Sequence, residues 1–261
     1  MAETIRYKVA DAIATITIDR PETRNALGPA DWRALREAVA RAGDDDHVRV
    51  VAVTGAGGTF CAGGDMGTVG ERLAAPAARR RHRLANDARV IRDLRELPKP
   101  VVAVIEGHAV GAGLNLALAC DLRISSSLGR FAASFHKVGF TSDFGGVYLL
   151  PQLVGVSKAI ELLLLGELIE AAEALRIGLV HRVYPDEEFA GRADEFLAHI
   201  AELPTLAVAL TKHGVYRAER MDIDAALEYE AASQALIGKS EDAAEGVRAF
   251  LQKRPPRFKG D

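Results

Sequence analysis

The sequence predicts an α/β fold, and three observations carry that prediction. Short β-branched stretches such as VVAVTG and VVAVI alternate with segments whose apolar residues recur at helical spacing. Glycine-rich turns join the two kinds of segment at Gly55 to Gly58 and at Gly111 to Gly113. The chain has 261 residues, 49% of them hydrophobic, enough for one large core with an appended helical segment. Strand, turn and helix in succession call for a sheet covered by helices. The expected division is a core over residues 1–200 and a helical region over residues 201–261.

Taken in order, IRYKV and IATITI flank Ala10-Asp11-Ala12 and predict an opening hairpin. NALGPADWRALREAVARA predicts a helix with Pro29 in its first turn and Trp32, Leu35 and Val39 on the buried face. VRVVAVTG is a buried strand. One helical segment is expected from about Gly70 to Leu97, with Leu84, Ala88, Ile91 and Leu94 on one side and Pro98-Lys99-Pro100 as its stop. Strand VVAVI, turn EGHAVGAG, helix LNLALA and strand LRIS follow. KAIELLLLG and EAAEALRIG each end at a glycine suited to a left-handed cap, and LVHRVYP is the last strand candidate. Beyond about Glu187 the pattern is helical, with separations expected at Pro204, Gly214 and Gly238.

The net charge of −3 creates no overall field favouring nucleic acid or an anionic membrane. The run Arg79-Arg80-Arg81-His82-Arg83 lacks interleaved aromatics and reads as a solvated helix face rather than a nucleic-acid surface. Cys61 and Cys120 form no CxxC or His-Cys cluster, which argues against a disulfide framework or a zinc site. The N-terminus has no apolar signal core, and no apolar run reaches the ~18 residues of a membrane span. A soluble, untargeted, cytoplasmic protein is expected.

The glycine turns are where chemistry could sit. A helix that opens at Gly111-Ala112-Gly113 exposes backbone N–H groups without intrahelical partners, and the helix dipole adds to their pull on negative charge. FCAGGD, directly after a strand, can offer another N–H. Two converging donors make an oxyanion hole, in which each donor is typically worth ~10²-fold to 10³-fold in rate. The plain alternative is a pair of tight strand-to-helix turns, because a lone glycine motif is a weak signal.

FCAGGDM, KPVVAVIEGHAVGAGLNLALACDLRIS, the glycine pair after Asp143, LPQLVG, EALRIGLVHRVYP and EGVRAFLQKRPPRFKG together resemble the crotonase family, the enoyl-CoA hydratase/isomerase superfamily. The resemblance runs over almost the whole chain in order. It implies a spiral of strand-strand-helix turns with a C-terminal helical region that forms homotrimers, often paired into hexamers. It also implies an acyl-CoA thioester substrate, no metal, and no cofactor beyond the coenzyme A of the substrate. Carried over by motif position, the oxyanion donors are the N–H groups of Gly64 and Ala112. The coenzyme A contacts implied are Arg24, Ala26, Leu27, Ala62, Gly64, Asp65, Phe250 and Lys253, the last two reaching in some relatives a neighbouring subunit's ligand. For Asp65, bracing of the first turn is the other expected role. For Arg79 to Arg83, the resemblance adds the phosphates of coenzyme A as an alternative to solvent.

The catalytic pattern departs from that of the family's hydratases. The slots that resemble their two glutamates hold Asn115 and Phe135, and a phenyl ring can neither orient water nor exchange its proton. Asp143 supplies a carboxylate where hydratases carry glycine, as in the branch similar to 1,2-epoxyphenylacetyl-CoA isomerases. One carboxylate suits isomerisation, in which a proton leaves carbon 2 and returns at carbon 4. The competing role for Ser142 or Asp143 is an N-cap of the next helix, worth ~1 kcal/mol. Asn115 is expected either to orient the carboxylate or thioester or to be a plain polar residue early in its helix. His136 is expected on the strand face opposite Phe135, beside the solvated Lys137. Three rivals to isomerisation stay open. They are hydration, hydrolysis with Asp143 as nucleophile, for which the expected histidine is replaced by Ala88 or a neighbour, and acyl-CoA binding without catalysis.

Overall fold

The computed structural model describes residues 4–260. β1 (Ile5–Ala10) and β2 (Ile13–Ile18) form the expected antiparallel hairpin, joined by Asp11 and Ala12. Both turn residues hold positive φ, 50° and 62°, the hand that matches strand twist in a two-residue hairpin. α1 (Pro29–Asp44) starts at its proline, and Asp31 Oδ2 closes the first turn by accepting the Gly28 N–H at 2.7 Å. β3 (Val50–Gly55) follows.

The next stretch differs from expectation. The single helical segment from Gly70 to Leu97 is three helices: α2 (Val69–Ala74), α3 (Ala77–Asp87) and α4 (Arg89–Glu96). Pro76 forces the preceding Ala75 into an extended conformation, ψ 149°, and ends α2. Of the three helices only α4 has fully buried apolar side chains, Val90, Ile91 and Leu94, with Leu97 buried just after it and Leu84 of α3 packed half-buried on the core.

β4 (Val101–Ile105), β5 (His108–Val110), α5 (Ala112–Ala119), β6 (Leu122–Ser126) and β7 (Arg130–Ala132) come next. β5 and β7 are three residues each, too short to show a period, so the expected turn EGHAVGAG conceals a strand. α6 (Gly146–Val154), α7 (Val156–Leu165), β8 (Ile169–Glu170), α8 (Ala171–Arg176) and β9 (Arg182–Tyr184) complete the spiral. α9 (Phe189–Ala201), α10 (Thr205–Ala218), α11 (Ile223–Ile237) and α12 (Glu241–Leu251) close the chain. Gly214 does not separate helices: it lies inside α10, where a Cβ would stand 2.7 Å from the Tyr229 ring of α11. The break falls instead between Ala218 and Ile223.

Two sheets organise the molecule. The larger has the order β1-β2-β3-β4-β6-β9, parallel except at β1 and β2, and the smaller has the order β5-β7-β8. Each turn of the spiral gives one strand to each sheet, β4 then β5 and β6 then β7. After β3 the second contribution is a single bridge, Cys61 to Ala109. Side chains of the parallel strands alternate between two cores. Val51, Val53, Val101 and Ala103 face α1, α4 and α5, while Val50, Ala52, Val102 and Ile124 face Phe189, Ala193, Leu197 and Ile200 of α9. Coverage of both faces is why VVAV reads as a continuous apolar run.

A buried cation ties α10 to this frame. Lys212 Nζ pairs with Asp121 Oδ2 at 2.8 Å and donates to the carbonyls of Leu94 and Lys99, while Asp121 also accepts the Val101 N–H and the Tyr216 hydroxyl. Burial draws the Lys212 ammonium pKa down, against the pull of Asp121. The tail is strapped down as well, since Asp242 accepts the Lys259 and Gly260 N–H groups and Arg49 donates to Phe258 O. Lys212→Ala leaves the half-buried Asp121 without its cation, and chemical denaturation at fixed protein concentration should show a loss of about 1–3 kcal/mol.

Candidate active site

The two glycine turns meet because the segment after β3 runs as a strand beside β5. Phe60 N–H donates to Glu106 O at 2.8 Å, Cys61 N–H to His108 O at 2.9 Å, and Val110 N–H to Cys61 O at 3.0 Å. A second bridge pairs Leu27 with Gly64, through Leu27 N–H to Gly63 O and Asp65 N–H to Leu27 O. A methyl group placed on Gly63 would stand 3.5 Å from Ala112 N, which gives the closeness of the turns. Among the described residues, neither the Gly64 nor the Ala112 N–H meets a backbone acceptor. Ala112 is the first residue of α5, whose eight residues are all buried, so its dipole points into a sheltered space.

That space is a cleft of two communicating lobes. The inner lobe, about 210 Å³, is lined by Gly64, Ala112, Trp32, Phe135, Asp143 and Phe144 among others. The outer lobe, about 730 Å³, lies under α2 and α3. Arg72, Leu84, Asp87, Phe135 and Asp143 line both.

Asp143 is not a helix cap. α6 begins at Gly146, its N-cap is Gly145 in the left-handed region, and no side chain caps it. Asp143 Oδ1 is buried with no hydrogen-bond partner among the described residues. Burial pushes the carboxyl pKa from 3.8 up to about 6, and Arg72 pulls the other way with a smaller effect. The following residue, Phe144, holds φ 45°, a strained conformation for a bulky side chain that costs of order 1–3 kcal/mol. Its ring stacks on Trp32 with centroids 4.2 Å apart, and that contact helps hold the turn.

Asn115 is fully sheltered and donates from Nδ2 to Asp143 O at 2.7 Å and to Ser142 Oγ at 3.2 Å. It therefore positions the main chain of Asp143 rather than its carboxylate. A Cβ on Gly146 would lie 2.3 Å from Ser142 Oγ and 2.5 Å from Asn115 Oδ1, so the second glycine of the pair leaves room for this contact.

The remaining expectations divide. Asp65 is a brace: Oδ2 pairs with Arg20 at 3.0 Å and Oδ1 accepts the Gly67 N–H at 2.9 Å. Ala62 lines the inner lobe, and Arg24 is exposed in the left-handed region with its carbonyl accepting the Ala62 N–H. Ala26 and Leu27 are buried and line neither lobe. Phe250 and Lys253 are exposed and line neither lobe of their own chain. Residues Ser134–Val138 form a 3-10 turn rather than a strand, and it presents Phe135 to the cleft and leaves His136 and Lys137 exposed. Arg79, Arg80, Arg81 and Arg83 line the outer lobe.

Asp143 is also not the only carboxylate at the cleft. Asp87 lines both lobes, its pKa raised by burial and drawn down by Arg72, Arg83, Arg33 and Arg36. Its signal in the sequence was helical spacing, three residues after Leu84 on the face that also carries Ala88 and Ile91. Trp32 and Arg72 carried no such signal as cleft residues.

The chain belongs to the enoyl-CoA hydratase/isomerase family, the crotonases, whose family model matches residues 8–261. It is 36% identical over 263 residues to 1,2-epoxyphenylacetyl-CoA isomerase of Escherichia coli, covering 100% of each chain. It is 35% identical to crotonyl-CoA hydratase of Syntrophomonas wolfei, covering 98% of each. Its fold superposes on the crystal structure of enoyl-CoA hydratase from Bacillus anthracis with a TM-score of 0.92 at 31% identity, covering 99% of this chain and 100% of that one. The chain is thus an enzyme of a family that acts on acyl-CoA thioesters, with a crotonase fold. Among the described residues, no helix is long and apolar enough to cross a membrane.

Burial favours the protonated form of Asp143, so its ionised form lowers native stability, and the cost grows as pH rises from 3.8 to about 6. Asp143→Asn should therefore stabilise the protein by about 1–3 kcal/mol at pH 8, with the difference vanishing toward pH 4, in denaturation measured at both pH values.

Proposed function

We propose that the enzyme is an acyl-CoA isomerase that shifts a double bond from the 3 to the 2 position, or rearranges a ring, through a thioester enolate. The observation that carries the reading is the half-buried Asp143 carboxylate, whose sheltered Oδ1 has no hydrogen-bond partner among the described residues, lining one lobe with the free N–H groups of Gly64 and Ala112. The thioester oxygen takes the two N–H groups. Asp143 removes a proton from carbon 2, and the C–H electron pair passes into the conjugated enolate. The same proton then goes to carbon 4 as the double bond forms between carbons 2 and 3, so the product is an isomer and no water enters.

A carboxyl that titrates near 6 is a stronger base than an ordinary carboxylate and is still ionised at neutral pH. The donors lower the cost of the enolate charge, so the proposed step calls on no metal or redox cofactor, and coenzyme A arrives with the substrate. Arg24 and Ala62 are proposed at the coenzyme A side of the inner lobe. Phe250 and Lys253 are proposed to meet the ligand of a neighbouring subunit. Exposed apolar side chains on α6, α7, α11 and α12, among them Val147, Ile160, Leu227 and Leu251, favour a homotrimer or hexamer.

A second reading, hydration, draws on one observation: Asp87 gives the cleft a second carboxylate. The two readings separate when wild type, Asp143→Asn and Asp87→Asn are given 3-enoyl-CoA and 2-enoyl-CoA, with conjugation and water addition both followed. Isomerisation should fall by ~10²-fold to 10⁴-fold in Asp143→Asn. Water addition that survives in Asp143→Asn and is lost in Asp87→Asn would favour the hydratase. In wild type, kcat/KM for isomerisation should drop about tenfold per pH unit below pH ~6, as the base becomes protonated.

A further inference from the structure

Among the described residues, Arg72 is the one half-buried arginine without a hydrogen bond or ion pair. Among the described residues, every other arginine that is buried or half-buried has a polar partner. Arg20 has Asp31 and Asp65, Arg36 has Asp93, Arg49 has Thr205, Arg95 has Glu219, Arg123 has Leu179 O, Arg130 has Glu170 and Arg254 has Glu245. Arg72 is half-buried, makes no hydrogen bond or ion pair with a described residue, and lines the cleft where its two lobes meet. A methyl group placed on Gly64 would stand 4.0 Å from Arg72 Nη1, so the guanidinium lies within one small group of the inner lobe's donors. Asp87 and Asp143 both feel its charge, but neither reaches it in an ion pair, so the fork of the guanidinium is open to an anion that a ligand brings.

The outer lobe continues the same charge. Arg72, Arg79, Arg80, Arg81 and Arg83 line it against two acids, Asp87 and Asp143. The two acids are half-buried and both feel Arg72, yet the lobe still carries more guanidinium groups than carboxylates. The arginines of α3 are exposed and share the lobe with apolar side chains, among them Leu73, Leu84, Phe135 and Phe140, so a chain lying on the apolar surface can present an anion to the guanidinium groups.

We propose that the acyl group this enzyme takes carries a carboxylate of its own, received in the cleft by Arg72 with the arginines of α3. The proposal rests on the cleft being the acyl-thioester site. The planar fork of a guanidinium offers a carboxylate two parallel hydrogen bonds, which fixes the direction of the acyl chain as well as its charge. The same anion chemistry has two other possible sources in the substrate, the phosphates of coenzyme A and the enolate oxygen. The experiment distinguishes the three.

Full-length wild type, Arg72→Met and Arg72→Lys are assayed on four 3-enoyl thioesters of equal chain length. Two end in a methyl group and two in a carboxylate, and each kind is made both as the coenzyme A ester and as the phosphate-free pantetheine ester. The expected result is that wild type prefers the carboxylate-ended ester in both series. Arg72→Met should lose about 10-fold to 100-fold of that preference, mostly through KM, the size of a lost charge-assisted hydrogen bond. Arg72→Lys, which keeps the charge without the fork, should lose less.

Equal losses on both coenzyme A esters with none on the pantetheine esters would assign Arg72 to phosphate and overturn the proposal. Equal losses of kcat on all four would assign it to the enolate and overturn it as well. So would a wild-type preference for methyl-ended esters. Calorimetry of the saturated carboxylate-ended and methyl-ended acyl-CoA esters on wild type decides the anion question without turnover or variants. Tighter binding of the carboxylate ester supports the proposal even where no isomerisation occurs, a result that would sink the isomerase reading alone, and equal or weaker binding rejects the proposal.

Discussion

The active cleft depends on a three-bond ladder between Phe60-Cys61 and the Glu106 to Val110 stretch. This ladder stands in for a full strand in the smaller sheet, and it sets the register between the two glycine turns. Strand faces alternate with every residue, so a slip of one would turn the Cys61 side outward and carry Gly64 out of line with Ala112. The Leu27 to Gly64 bridge fixes the same turn from the other side. Two short backbone pairings therefore do what no side chain of the turns could do. They bring the Gly64 and Ala112 turns together while leaving both N–H groups without a backbone acceptor.

With the donors fixed by backbone, the rest of the cleft concerns a carboxylate kept from water. Burial outweighs the nearby guanidinium at Asp143, which leaves the group basic yet able to ionise near neutral pH. That condition costs stability twice, through desolvation and through the left-handed Phe144 beside it. The compensation is local packing: Trp32 from α1 stacks on Phe144, and Asn115 from α5 holds the Asp143 carbonyl. Local instability at a titratable group with rigid support around it is a common arrangement at functional sites, and a fully satisfied carboxylate would be a poorer base than this one.

The frame was legible in the sequence where one interaction scale dominated. β-branched runs marked the strands of the larger sheet, helical spacing marked α1 and α9 to α12, and glycines marked the turns and caps. Legibility failed where a side chain's role depends on a distant partner. Gly214 looks like a helix break, and it is a notch for Tyr229. Asp143 looks like a cap, and its helix begins three residues later. β5, β7 and the Cys61 bridge are too short to have a period, although they carry the smaller sheet. Asp87 and Arg72 were hidden because the stretch before Pro98 read as one helix. The break at Pro76 folds that stretch over the cleft and brings both residues to it.

α3 forms much of the outer wall and buries none of its own residues. Apart from Leu84, which packs half-buried on the core, substitutions along it therefore disturb little of the packing that folds the protein, while they reshape the outer lobe. Recognition and foldability are inherited almost separately here. A lineage can reshape the outer lobe through α3, and Gly64, Ala112 and Asp143 beneath it need not change.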